Sequence, residues 1–138
     1  MDCSHTGYRT CMDIIELSTA PAFFSHANPR TLHDDRRNIY DDQIDACAAS
    51  GGVVCVNGVG RFLGDPQADT KTIVRHIDYL VARIGANHVG IGLDYSYKQN
   101  LDDSPPNLDK KNKNFLSIVV LFIQILRGEG GIRTLGGV

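Results

Sequence analysis

The chain of 138 residues has no tryptophan and only two glutamates, Glu16 and Glu129, against 14 aspartates. The scarcity of glutamate limits the metal sites that the chain can build from its own carboxylates. Its 14 basic and 16 acidic residues leave a net charge of −2, which gives no electrostatic reason to expect nucleic acid as a partner. The four cysteines lack C-x-x-C spacing, which argues against a zinc knuckle or a redox pair and favours an intracellular chain with reduced thiols.

Long apolar runs are also missing. The uncharged run at residues 115–126 has twelve residues, whereas a membrane-spanning helix needs roughly 20, so no membrane span is expected. Met1 is followed by Asp-Cys-Ser-His without a basic or apolar leader, so we expect no signal peptide and predict the cytoplasm as the compartment. Lysine-rich residues 98–114 are typical of a linker, and residues 115–138 are predicted to form an irregular tail.

The first 97 residues alternate helical and extended patterns. The predicted helices cover residues 8–18, 41–50 and 69–84, and the predicted strands cover residues 20–25, 53–56 and 88–93. Asp41 is the expected N-cap of the second helix, because aspartate accepts hydrogen bonds from free backbone N–H groups. This alternation predicts an α/β fold with a parallel sheet covered by helices.

A polar residue follows each predicted strand at its carboxyl end. His5 follows a short first segment, His26 follows the second, Asn57 the third and Asp94 the fourth. The carboxyl edge of a parallel sheet is where sites assemble, because several chain segments meet there. Imidazole and carboxylate groups both suit zinc, so the pattern predicts a metal site; the alternative is that the histidines only cap strands through hydrogen bonds.

Four short motifs in this stretch resemble those of the membrane dipeptidase (renal dipeptidase) family of zinc peptidases. They are D-C-S-H-T-G, F-F-S-H-A-N, R-R-N and V-G-I-G-L-D, and their order and spacings agree with the family over residues 2 to about 97. The resemblance implies a TIM-type (β/α)8 barrel, of which residues 1–97 would form about the carboxyl-terminal half. It also implies two zinc ions bridged by a glutamate.

The resemblance further implies a role for each motif residue. His5 and His26 would bind one zinc ion, and Asp94 would be the catalytic carboxylate and a ligand of the other. Arg37 would hold the terminal carboxylate of the substrate, since a guanidinium pairs with a carboxylate through two hydrogen bonds. Asn57 lies outside these motifs; its place after a strand predicts that it lines the substrate pocket, with a turn residue as the alternative. The implied reaction is the hydrolysis of dipeptides by zinc-activated water.

The chain also departs from the family. The family's H-x-D pair and bridging glutamate have no counterpart, because the H-x-D at residues 76–78 lies inside a predicted helix. The full binuclear site is therefore not encoded here, and we expect a truncated copy of a zinc dipeptidase. Its site would be completed by a second copy in a homodimer or by a separate amino-terminal half.

Two other functions stay open. The first is an inert half-barrel remnant whose exposed strand edges favour association. The second is another metal-dependent hydrolase of the amidohydrolase type, such as a lactonase or a phosphotriesterase. The R-R-N motif argues against the latter, because it suits a substrate carboxylate.

The remaining histidines are interpreted as structural. His33 is expected to be exposed in a polar loop, His76 to be a partly buried packing residue, and His88 to lie at the amino end of a strand, away from the site. Cys3 is close to His5 in sequence, but we interpret it as a buried thiol and not as a third ligand.

Overall fold

The computed structural model describes residues 1–94, so the predicted linker at 98–114 and tail at 115–138 lie outside the described residues. The helices are α1 (Tyr8–Leu17), α2 (Asp41–Ala49), α3 (Gly60–Leu63) and α4 (Thr70–Ile84), the strands are β1 (Val54–Val56) and β2 (Val89–Ile91), and a 3₁₀ turn covers Ala86–His88. Within this range no helix has the length and apolar character needed to cross a membrane. The three longer helices agree with the predicted ones to within about two residues.

The strands form a parallel sheet that continues through single bridges. β1 and β2 pair in the register Val54–Val89, Cys55–Gly90 and Val56–Ile91. On the other side of β1, Phe24 bridges to Val54, and Phe23 bridges to Asp2, both in parallel. Four segments thus lie side by side in chain order, and their carboxyl ends meet at one edge. The closed barrel implied by the resemblance is not seen in residues 1–94.

The strand predicted over residues 20–25 is wrong in extent. Phe23 and Phe24 pair with neighbouring segments through one bridge each. The pairing with the Asp2 segment ends at Ser25, whose backbone N–H donates to the Asp2 carboxylate at 3.2 Å. On the side of β1, one further backbone bond runs from the Ala27 N–H to the Cys55 carbonyl at 2.8 Å. Pro21 has no N–H to donate at the other end. The extended segment is therefore short, and on the side that faces Asp2 a side chain takes the place of a backbone acceptor.

The long helices begin at different kinds of cap. Asp69 caps α4, since its carboxylate accepts from the N–H groups of Lys71 and Thr72. The prediction of Asp41 as the N-cap of α2 is wrong, because Tyr40 is the N-cap and Asp41 is the first helical residue. The Asp41 carboxylate accepts from the Tyr79 hydroxyl at 2.7 Å and ties α2 to α4.

The core lies between the sheet and the helices. α4 buries the apolar side chains of Ile73, Ile77 and Leu80, which belong to the same core cluster as the apolar residues of the strands and of α2. The most deeply buried apolar residues are Phe24, Ile44, Val54, Val56, Ile73, Leu80 and Val89. Gly52 precedes β1, where a Cβ atom would lie only 1.7 Å from the Ala22 carbonyl oxygen. The close backbone approach at Gly52 therefore requires glycine, and it fixes β1 against the segment that leads to His26.

His76 and His33 differ in burial from the prediction. His76, on α4, is only 1% exposed and not merely partly buried, and His33 is half-buried in its loop. The Nε2 atom of His76 lies 3.3 Å from the Leu63 carbonyl oxygen, and its Nδ1 atom has no hydrogen-bond partner. Burial lowers the pKa of His76 from 6.5 to about 4.

This burial predicts acid sensitivity. His76 in the unfolded chain takes up a proton below pH 6.5, whereas in the folded chain it resists protonation down to about pH 4. The free energy of unfolding should therefore fall as the pH drops across that range, by at most about 3 kcal/mol. Urea unfolding at several pH values should show a smaller loss in His76→Leu. The His33→Gln control should lose stability as the wild type does, and an unchanged pH dependence in His76→Leu would contradict the assignment.

Candidate metal centre

Two imidazoles meet at the carboxyl edge of the sheet. His5 lies in the turn after the segment that pairs with Phe23, and His26 follows Phe24 and Ser25 on the neighbouring segment. Their Nε2 atoms are 2.7 Å apart, and their ring centroids are separated by 4.8 Å. The His26 side chain is 17% exposed, whereas His5 is exposed. The fold thus brings together two predicted site residues that are 21 positions apart in the sequence.

Two predicted site residues adopt a left-handed backbone conformation. His5 has a φ of 65° and Asp94 a φ of 58°, and within residues 1–94 they are the non-glycine residues with positive φ. This conformation costs conformational energy in L-residues, and it persists where the surrounding structure imposes it, often at functional sites. In both residues the left-handed backbone occurs where a sheet segment ends and a polar side chain turns to the site.

Asp94 approaches the imidazoles from β2. Its Oδ2 atom lies 3.9 Å from His26 Nε2 and accepts a hydrogen bond from the Asn57 side-chain amide at 3.3 Å. Asn57 is 1% exposed, and its Oδ1 atom accepts from the Val59 N–H at 2.7 Å. A buried asparagine, Asn28, also bonds to the Asn57 backbone on both sides. The buried Asn57 side chain therefore fixes the position of the Asp94 carboxylate by a hydrogen bond.

A cavity of about 450 Å³ opens beside the two histidines. Its charged lining residues are Arg30, Arg36 and Arg37, and among residues 1–94 no acidic side chain lines it. The walls also include the aromatic rings of Tyr8 and Tyr40. Such a cavity suits a small anionic ligand. Asn57, predicted to line the substrate pocket, is not among the residues that line this cavity.

Arg37 connects the cavity to the histidines. Its Nη2 atom lies 3.3 Å from His5 Nε2, and its guanidinium stacks at 5.4 Å from the centre of the Phe62 ring. Arg30, by contrast, is paired with Asp34. The Arg37 side chain makes no ion pair with a described carboxylate, so its charge is available to a ligand in the cavity.

The donor set fits part of a zinc site. Partial desolvation lowers the pKa of His5, and the nearby Arg37 and His26 charges lower it further, so the neutral, metal-binding form is favoured. The 2.7 Å between the two Nε2 atoms is a hydrogen-bond distance, so without a metal one nitrogen donates to the other. A zinc ion would take the place of that shared proton and would be bound by both lone pairs. Within residues 1–94, however, no group of three or more His, Cys, Asp or Glu side chains could hold a metal ion. The two imidazoles therefore supply half of a four-coordinate site.

The sequence model of the membrane dipeptidase family, peptidase family M19, matches residues 1–108 of this chain. The chain belongs to that family. Among its relatives, an uncharacterized dipeptidase of Schizosaccharomyces pombe is 34% identical over 116 residues, which cover 82% of this chain and 27% of the relative. A Klebsiella pneumoniae protein from the region 5′ of pqqA is 40% identical over 100 residues, covering 69% of this chain and 37% of that protein.

Solved structures of family members superpose well on the chain. A dipeptidase described as a metallopeptidase of family M19 gives a TM-score of 0.73 at 27% identity, over 96% of this chain and 37% of its own. A metallopeptidase from Rhodobacter sphaeroides, bound to a phosphinate mimic of the dipeptide L-Ala-D-Ala, gives a TM-score of 0.74 at 25% identity, over 96% of this chain and 36% of its own. The chain thus spans about a third of the length of the relatives that it matches, and it shares their mixed helix and strand architecture over that part.

The structure places three further polar residues beside the predicted ones. Asp2, Ser4 and Ser25 lie directly behind the histidines and bond to one another. Asp2 and Ser4 fall within the D-C-S-H motif, and Ser25 precedes His26 in F-F-S-H. Their closeness to the histidines within those motifs was the one signal that could have indicated them.

Proposed function

We propose that this chain supplies part of the active site of a zinc-dependent dipeptidase. The observation that carries the proposal is the convergence of His5 Nε2 and His26 Nε2 to 2.7 Å beside a cavity walled by three arginines. Membership in a metallopeptidase family supports the use of a metal, and the imidazole ligands favour zinc. The four parallel segments would be about half of a (β/α)8 barrel.

The roles of the residues follow from their chemistry. His5 and His26 would hold one zinc ion through Nε2, and Asp94 would contribute a carboxylate to the second metal position. Bound zinc supplies a Lewis acid for the peptide carbonyl and an activated water nucleophile. Arg37 would bind the terminal carboxylate of the dipeptide and orient its peptide bond toward the histidines.

Asp94 would handle the proton of the reaction. Its Oδ2 atom is held by Asn57 and lies 3.9 Å from His26 Nε2, where it would accept a proton from the attacking water and pass it to the departing amine. Asn57, in this proposal, acts on the substrate only through Asp94. The remaining ligands would come from a second copy of the chain or from a separate amino-terminal half.

Zinc content and dipeptide hydrolysis test the proposal together. The 138-residue chain is purified alone and after co-expression with the amino-terminal portion of a relative, and its zinc stoichiometry and its release of amino acids from Gly-Leu are measured. We expect weak zinc binding by the chain alone and turnover in the co-expressed preparation. Chelator should remove the turnover, and zinc should restore it.

Other outcomes identify the alternatives. Zinc binding without turnover in both preparations would identify an inert remnant. Turnover of a lactone or a phosphotriester, with none of Gly-Leu, would indicate another metal-dependent hydrolase. Absence of zinc from both preparations would overturn the metal assignment itself.

A further inference from the structure

We propose that Asp2 and Ser25 are positioning residues that fix the tautomer of His26 and aim its Nε2 lone pair at the metal position. The importance of this lone pair rests on the zinc site proposed above, whereas the hydrogen-bond chain itself does not. The carboxylate, the hydroxyl and the imidazole form a continuous line behind the site.

Distances along this line determine where the protons lie. The Ser25 hydroxyl oxygen is 2.6 Å from Asp2 Oδ2 and 2.8 Å from His26 Nδ1. An ionised carboxylate can only accept, so the single hydroxyl proton of Ser25 goes to Asp2. The Ser25 oxygen must then accept a proton from His26, which places the proton of the neutral ring on Nδ1. The Nε2 atom is left with its lone pair, which accepts a hydrogen bond from His5 Nε2 at 2.7 Å in the zinc-free chain.

The charge state of Asp2 supports this direction. Burial opposes its ionisation, but hydrogen bonds from Ser25 and Ser4 outweigh burial and lower the pKa of Asp2 to about 2. Ser4 is the competing acceptor for the Ser25 proton, since its hydroxyl lies 3.1 Å from Ser25 Oγ. The shorter distance and the negative charge favour Asp2.

Asp2 also joins the two segments that carry the histidines. Its Oδ1 atom accepts from the backbone N–H of Ser4 at 2.9 Å and from that of Ser25 at 3.2 Å. Ser4 directly precedes His5, and Ser25 directly precedes His26. In turn, the Ser4 hydroxyl accepts from the His26 backbone N–H at 3.2 Å. One carboxylate thus holds both turns in register and orients one of the two rings.

The first test measures the tautomer in the zinc-free 138-residue chain. Long-range ¹H–¹⁵N spectra distinguish a protonated Nδ1 atom from a protonated Nε2 atom, and we expect the Nδ1–H form for His26. In Asp2→Asn the amide oxygen should still accept from the backbone N–H groups of Ser4 and Ser25. The amide NH₂ group would then face the hydroxyl oxygen of Ser25 and donate to it. Ser25 would then donate its proton to His26, and the ring should change to the Nε2–H form.

The second test measures zinc affinity by competition with a chromophoric chelator. Ser25→Ala should weaken zinc binding by about 10- to 100-fold, as is usual when the outer partner of a ligating histidine is removed. Ser25→Thr keeps the hydroxyl and should restore most of the affinity. Ser50→Ala is the matched control, because Ser50 bonds to the backbone of Ala22 and Cys47 and does not contact the histidines. It should leave both the zinc affinity and the His26 tautomer unchanged.

The outcomes separate this inference from the proposed function. A protonated Nε2 atom on His26 in the wild type, or an unchanged tautomer in a folded Asp2→Asn variant, would overturn the hydrogen-bond chain. If Ser25→Ala loses no more affinity than Ser50→Ala, the positioning role is wrong. If the wild type shows the Nδ1–H form but binds no zinc, the hydrogen-bond chain stands and the zinc site fails. Ser25→Ala supplies the tautomer test if Asp2→Asn does not fold.

Discussion

His26→Ala should weaken zinc binding by at least about 100-fold, a larger loss than removal of an outer hydrogen-bond partner causes. The His26 ring is 17% exposed and held by Ser25, so it is oriented before any metal arrives. Because the described chain brings two imidazoles to the metal position, the loss of one leaves a single nitrogen ligand there. Chelator competition measures the affinity, and Gly-Leu hydrolysis in the co-expressed preparation should fall to background.

His33→Ala serves as the matched control for this prediction. His33 is also a partly exposed histidine, but it lies in the loop before Arg37 and does not line the cavity. Its removal should leave zinc affinity and hydrolysis as they are in the wild type. Equal losses in His26→Ala and His33→Ala would mean that zinc binds histidines nonspecifically, and the assignment of His26 as a ligand would be wrong.

Helix positions could be predicted because their signals are local. α4 has both a capping aspartate, Asp69, and an apolar stripe whose innermost residues are buried. α3 was missed because its four residues, Gly60–Leu63, are too few to show a helical period. The apolar composition of residues 20–25 predicts a longer strand than the structure has, since it does not show that the Asp2 side chain takes the place of a backbone acceptor on one side.

The site shows the same division between local and non-local information. Motif positions were sufficient to indicate His5, His26, Arg37 and Asp94, and the structure brings their side chains to one edge of the sheet. The pairing of Asp2 with Phe23 places the Ser25 hydroxyl between the Asp2 carboxylate and the His26 ring. This register depends on how two segments pair and cannot be seen in the sequence of either one. The support provided by Asp2 and Ser25 could therefore not be predicted without the fold.

The left-handed backbone of the two site residues could not be predicted from the sequence either. Neither His5 nor Asp94 is a residue type that requires positive φ, yet both adopt it. The left-handed turn at His5 is supported from outside the residue by the hydrogen bond from the Ser4 N–H to Asp2. This dependence links the strain at the site to the fold around it, as is typical of functional positions.

Arg37→Met should lower kcat/KM for Gly-Leu by about 100-fold, equivalent to about 3 kcal/mol, because a desolvated guanidinium–carboxylate pair is lost. The Arg37 guanidinium is held between the Phe62 ring and His5 Nε2, at the wall of the cavity. Methionine keeps much of the apolar stem. The loop should also keep its conformation, since the Arg37 backbone N–H still donates to the Asp35 carboxylate at 2.8 Å.

The substrate provides the sharper test of the same contact. Gly-Leu amide has no terminal carboxylate, so the wild type should hydrolyse it poorly, and Arg37→Met should hydrolyse it no worse than the wild type does. The preference for Gly-Leu over Gly-Leu amide should therefore vanish in Arg37→Met. It should persist in Arg36→Met, a control that removes the same charge from the exposed neighbouring residue. If Arg36→Met abolishes the preference and Arg37→Met keeps it, the carboxylate lies farther from the histidines than proposed. If Arg37→Met and Arg36→Met prefer Gly-Leu over Gly-Leu amide to the same degree, the cavity recognises the carboxylate through the combined positive charge of its arginines and not through one guanidinium.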